Sequence, residues 1–127
     1  MTKAIHSKNA PEALGPYSQA MQAGDFIYVS GQIGINPETG ELAEGIKNQT
    51  EQVMKNLQAI LTEADTDFSQ AVKFTIYLSS MGDFAAVNDI YGSYLTEPYP
   101  ARATFEVSKL PKDALVEIEV VVYTKKK

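Results

Sequence analysis

The chain contains no cysteine, and a single absence removes disulfides, thiolate metal sites and cysteine nucleophiles together. Histidine is nearly as scarce. The one residue of that type, His6, sits near the start of the sequence, which argues against an imidazole-based metal site. Long hydrophobic runs are missing as well, since nothing approaches the roughly 18 to 20 apolar residues that a membrane span needs. The first residues, MTKAIHSKNAPEA, lack the apolar core of a secretion signal, so a cytoplasmic location is expected. Excess positive charge is absent too: the formal net charge is -5, which gives no whole-molecule attraction to nucleic acid or to an anionic membrane. The one basic run, Lys125-Lys126-Lys127, reads as a solubilising tail.

What remains is ordinary globular material. Apolar residues make up 44% and charged residues 21% of 127 positions, enough for one hydrophobic core, and no repeat, low-complexity tract or linker interrupts them. Residues 1–127 are therefore expected to form one domain.

Local patterns divide the chain into strands and helices. Tyr17 to Gln22 and Phe26 to Ser30 are short strand candidates flanking the turn-forming Ala23-Gly24-Asp25, and Asn36-Pro37-Glu38-Thr39-Gly40 marks a second turn. From about Ile46 to Ala64, the residues Val53, Leu57, Ile60, Leu61 and Ala64 recur at the spacing of one helix face. The segment Val72 to Leu78 alternates, which predicts a strand with Val72, Phe74, Ile76 and Leu78 on its buried side. Ser80 and Asp83 have capping-box spacing ahead of a second helix running from about Asp83 to Leu95, which Pro98 and Pro100 stop. Ala103 to Val107 and Leu115 to Tyr123 then read as strands, with the connection around Pro111 turning one back on the other. The order strands, helix, strand, helix, strands predicts an α+β sheet with both helices on one face.

The last strand is unusual on both sides. Val116, Ile118, Val120 and Val122 make one apolar face, while the other mixes Leu115, Val121 and Tyr123 with Glu117 and Glu119. Such a face is too apolar for open water, so burial against another copy of the protein is expected.

The same reading brings chemistry together. Pairing about the Pro111 turn would set the Arg102–Thr104 segment opposite Glu117–Glu119, where a guanidinium and carboxylates would converge. A plain cross-strand ion pair is one outcome. The other is a site for a planar anion, because arginine offers a rigid fork that grips a carboxylate through two hydrogen bonds and a nearby glutamate can act as general base.

Several segments carry a more specific signal. Gly15-Pro16-Tyr17-Ser18-Gln19, Ser30-Gly31-Gln32-Ile33, Asn36-Pro37-Glu38-Thr39-Gly40, Val87-Asn88, Pro100-Ala101-Arg102 and Leu110 to Glu119 resemble, in order and across nearly the whole chain, the signature blocks of the RidA/YjgF family. The resemblance implies a chorismate-mutase-like α+β fold with a mixed β-sheet and two helices, and a homotrimer whose sheets form a central barrel, with ligand clefts between subunits. It implies hydrolysis of reactive 2-imino acids, such as 2-iminobutanoate and 2-iminopropanoate, to 2-keto acids and ammonia without metal or cofactor. By position, Arg102 would hold the substrate carboxylate and Glu117 would orient or activate water. Tyr17, Ser30, Gly31 and Asn88 would line or shape the cleft. Thr104 stands where many members carry cysteine, which leaves that position a backbone role but no thiol. The segment Leu95 to Pro100 is shorter than in some members, and this bears on the rim of the cleft. Family members have also been linked to regulation, chaperone-like behaviour and inhibition of translation, which makes a non-enzymatic binding protein the competing expectation.

Overall fold

The structure, a computed structural model, describes residues 2–124, so the lysine tail lies outside the described residues. Six strands form one mixed sheet: β1 (Thr2–Ile5), β2 (Ala20–Ala23), β3 (Phe26–Ile33), β4 (Ala71–Leu78), β5 (Ala101–Glu106) and β6 (Val116–Tyr123). Their spatial order is β1-β2-β3-β6-β4-β5, with every neighbouring pair antiparallel except β4 and β5. Two α-helices, α1 (Gly45–Glu63) and α2 (Phe84–Ser93), complete the α+β architecture.

The helix α1 lies across β3 and β6 and packs against α2. Its residues Val53, Met54, Leu57, Ile60 and Leu61 are fully buried, each worth roughly 1.5–3 kcal/mol of apolar transfer. They meet Ile27 and Val29 of β3, Phe74, Ile76 and Leu78 of β4, and all four valine and isoleucine positions expected on β6. Phe74 also takes Tyr91 of α2 edge-on at 5.0 Å between ring centroids, which ties the second helix to the same face.

Several boundaries differ from the sequence expectation for identifiable reasons. The short polar β1 forms only because β2 offers it a pairing edge, and β2 begins at Ala20 because the segment before it is held by side-chain bonds instead of a ladder. Val72 does not join the buried face: a register shift between Ala71 and Lys73 against β6 turns it outward, leaving it 41% exposed. Ser80 accepts a hydrogen bond from the Gly82 N–H at 3.1 Å, so it caps the short 3-10 turn Met81–Asp83 and not α2, and Asp83 makes no reciprocal side-chain cap.

The largest difference concerns β5. It runs parallel to β4, as an intervening α2 requires, and β6 inserts between β3 and β4. The connection through Pro111 therefore crosses β4 instead of closing a hairpin. Arg102 pairs with Phe74 and Thr104 with Ile76, while Glu117 pairs with Tyr77 on the opposite side of β4, so the expected convergence of Arg102–Thr104 with Glu117–Glu119 does not form within the protomer.

The sheet face turned away from the helices carries Tyr28, Tyr77, Phe105, Val121 and the two glutamates of β6. Phe26 and Tyr123 meet at 5.0 Å between centroids, and Tyr28 and Phe105 remain about half exposed. This is the half-apolar face read from β6, now extended across neighbouring strands.

Candidate active site

Strand alternation sends Arg102 and Glu117 to opposite faces of the sheet, and each sits beside its own cavity. Arg102 lies on the helix side. Its Nη1 donates a hydrogen bond to Oδ1 of Asn88, and its guanidinium carbon stands 5.3 Å from the Phe84 ring centroid and 5.2 Å from that of Tyr91. Beside it opens a cavity of about 460 Å³ lined by Asn88, Tyr91, Gly92, Tyr99, Pro100 and Arg102. No carboxylate lines it. Among the described residues Arg102 makes no ion pair, so its charge is unspent. Burial raises the Tyr91 hydroxyl above its ordinary pKa, with the Arg102 charge second and acting in the other direction.

Glu117 occupies the other cavity, of about 290 Å³, together with Tyr17, Gly31, Gln32, Pro111 and Lys112. The bulge in β3 builds this corner. Between Val29 and Gln32 the strand carries one more residue than β6 does opposite it, and the extra length falls at Ser30-Gly31. A Cβ on Gly31 would lie 1.9 Å from Glu117 Oε2, so glycine is what allows the backbone and the carboxylate to share this space. Ser30 does not line the cavity; its hydroxyl donates to the Ser18 carbonyl at 2.6 Å and so fixes the loop that carries Tyr17.

Burial, and after it the nearby charge of Glu119, raises the Glu117 carboxyl above the usual carboxylate range. Glu119 in turn accepts a hydrogen bond from the Tyr77 hydroxyl, and that bond, with burial second, pushes Tyr77 up to about 12. A carboxyl with a raised pKa at a cavity wall has the character of a proton-transfer group.

The seven candidate residues thus divide into two groups. Tyr17, Gly31 and Glu117 line one cavity, with Ser30 securing the loop that carries Tyr17; Asn88 and Arg102 line the other, and no residue lines both. Thr104 lines neither, yet its Oγ1 is buried without a hydrogen-bond partner two residues along β5 from Arg102.

Sequence reasoning overlooked the residues that hold these groups in place. Gln19 is buried; it accepts from the Ser7 N–H at 2.6 Å and donates to the Pro11 carbonyl at 2.8 Å, which anchors the segment forming one wall. Gln49 of α1 accepts from the Leu115 N–H at 2.8 Å, just before Glu117. A buried glutamine amid backbone has no periodic signature. Phe84 and Tyr91 were visible only as positions within the second predicted helix. Among the described residues no group of three or more His, Asp or Glu side chains could hold a metal ion, and no helix is long and apolar enough to cross a membrane.

Comparison with known proteins places this geometry in a family. Residues 7–124 match the family model described as endoribonuclease L-PSP. A RutC family protein of Pyrococcus horikoshii is 49% identical over 124 residues, covering 97% of this chain and 98% of that one. The 2-iminobutanoate/2-iminopropanoate deaminase of Mus musculus is 45% identical over 120 residues, covering 94% and 89% respectively. The crystal structure of RidA from an Antarctic Psychrobacter superposes with a TM-score of 0.93 at 46% identity, over 95% of this chain and 98% of that one. The family match over residues 7–124, the sequence identity and the near-complete coverage agree, and the chain belongs to the RidA/YjgF family.

Proposed function

We propose that this chain hydrolyses 2-imino acids such as 2-iminobutanoate and 2-iminopropanoate to 2-keto acids and ammonia. The observation that carries the reading is the unpaired Arg102 fork beside an open cavity, while the carboxyl with a raised pKa, Glu117, stands at a different cavity of the same protomer. Each is half of a site. A homotrimer formed through the half-apolar sheet face would bring Arg102 of one subunit to Glu117 of the next, giving clefts between subunits. In this reading residues 1–127 work as one domain in the cytosol, where enzymes that dehydrate serine and threonine release such imines.

In the reaction, Arg102 holds the substrate carboxylate through paired hydrogen bonds. Glu117 takes a proton from water as its oxygen adds to the C=N carbon and passes that proton to the imine nitrogen, which gives the carbinolamine. Glu117 then takes the carbinolamine hydroxyl proton as the C=O bond forms and delivers it to the nitrogen as the C–N bond breaks, releasing ammonia. Tyr17 and Gly31 shape the wall around Glu117, Ser30 secures that wall, and Asn88 steadies Arg102. Thr104 contributes through its backbone. An imine is electrophilic enough for water, so the chemistry calls for no metal or organic cofactor, and positioning with one base is sufficient.

The name of the matched family model favours a second reading, cleavage of RNA. The net charge of -5 and a single histidine fit it poorly. A non-enzymatic role in regulation or ligand binding is the other alternative, and Arg102→Ala separates it, because outer surfaces would survive that change and deamination would not. The deciding experiment generates imine in situ with threonine dehydratase or an amino-acid oxidase and follows ammonia or keto acid. Purified protein is expected to outpace buffer; no acceleration with small, branched and aromatic imines would end the enzymatic reading.

A further inference from the structure

Arg102 is held in an unusual manner for a side chain expected to bind an anion. Its three partners, Phe84, Asn88 and Tyr91, are spaced four and three apart on α2 and so form one stripe of the helix. Two contribute rings within about 6 Å of the cation, where the negative face of an aromatic ring attracts it, and the third contributes an amide oxygen. None is charged. The carboxylate inside the same helix, Asp89, is one residue off the stripe and makes no bond to Arg102.

From this arrangement, and resting on the deaminase reading of the same site, we infer that the stripe Phe84–Asn88–Tyr91 is a neutral clamp. It fixes the guanidinium plane while leaving its charge and remaining N–H donors for a substrate carboxylate. The rings restrain the plane without hydrogen bonds, and the Asn88 oxygen consumes one donor without cancelling charge. An aspartate at position 88 would do the opposite. It is nearly isosteric with asparagine, but it would bind the fork as an ion pair and compete with the ligand.

Asn88 and Phe84 are therefore positioning residues, and the order of their variants tests this. The probe is 2-oxobutanoate, the planar anion that the proposed reaction releases, titrated calorimetrically into the full-length protein. Asn88→Ala is expected to weaken binding roughly 2- to 10-fold through lost ordering of the fork. Asn88→Asp should weaken it by roughly 10- to 100-fold, more than alanine despite its closer shape. A residue needed only for packing or polarity would give the reverse order. Phe84→Leu should cost roughly 2- to 10-fold, and Phe84→Tyr, which keeps the ring, should recover most of that loss. The clamp is overturned if Asn88→Asp binds as well as Asn88→Ala, or if Phe84→Tyr is no better than Phe84→Leu. Failure of the unmodified protein to bind 2-oxobutanoate would also overturn it, and the imine assay on the same sample then shows independently whether the deaminase reading stands.

Discussion

The two cavities of this protomer differ in how they treat charge. At the α2 edge, Arg102 is surrounded by rings and an amide, so its charge is kept and left unanswered. At the β3–β6 corner, Glu117 is enclosed by a backbone bulge and crowded by Glu119, so its charge is discouraged. One place is built to attract an anion and the other to hold a proton more tightly than an ordinary carboxylate does. A strand and a change of sheet face separate them, which means that neither surroundings compromise the other: a carboxylate next to Arg102 would neutralise it, and a guanidinium next to Glu117 would lower its pKa. In the proposed homotrimer the two would face each other across a cleft, with the substrate between them.

The largest expected effect follows from removing either half. Arg102→Ala and Glu117→Gln should each lower kcat/KM by roughly 10²- to 10⁴-fold, the range for losing an anion clamp or a general base. The stronger test mixes the two inactive proteins under conditions that allow subunit exchange. If each site takes Arg102 from one protomer and Glu117 from another, about a quarter of the sites in random hetero-oligomers contain both native residues, and activity returns to that extent. No recovery after demonstrated exchange would show that the two halves do not combine across subunits.

A middle-sized effect is expected at Gly31. An added methyl group would overlap Glu117 Oε2, but that oxygen ends a flexible side chain, so Gly31→Ala should fold with a near-normal melting temperature while the carboxylate turns aside. A loss of roughly 10- to 100-fold in kcat, with a smaller change in KM, is expected from a base displaced by about an ångström. Equal losses of stability and activity would instead assign Gly31 to the fold alone.

Much of the architecture was legible in the residues because its causes are local. The α1 stripe and the alternation in β6 and in β4 from Phe74 onward depend on spacing alone, and they appear where expected. The pairing of β5 did not, because a turn signal near Pro111 says that the chain reverses without saying which strand it reverses onto. Only the parallel crossover through α2 decides that β4 takes β5 as its neighbour and leaves β6 to bridge β3 and β4. The site residues were recognisable through their resemblance to family blocks, yet their division between two cavities was not, since the sequence carries no sign of which face a bulged strand presents. The bulges at Ser30-Gly31 and Val72 share that cause: one extra residue changes every orientation beyond it, and only the first is marked, by its glycine.

The smallest effect concerns tuning. Glu117 is expected to act as a base, so activity rises with pH as its proton leaves, and its raised pKa places this acid limb above the range of an ordinary carboxylate. Burial contributes most of the elevation and Glu119 the next part; Glu12 and Lys112 share the cavity wall, and Tyr77 spends its hydroxyl proton on Glu119. Glu119→Gln removes a negative neighbour without emptying the space. The charged form of Glu117 becomes easier to reach, so the acid limb of kcat/KM should move to lower pH while remaining above that of an exposed glutamate. Tyr77, deprived of its anionic acceptor, should titrate below its value of about 12 in the same variant, which absorbance near the phenolate band can follow independently. A limb that stays in place while the Tyr77 titration moves would show that Glu119 is coupled to the tyrosine and not to the base, and burial behind the Gly31 bulge would then account for the proton affinity of Glu117 by itself.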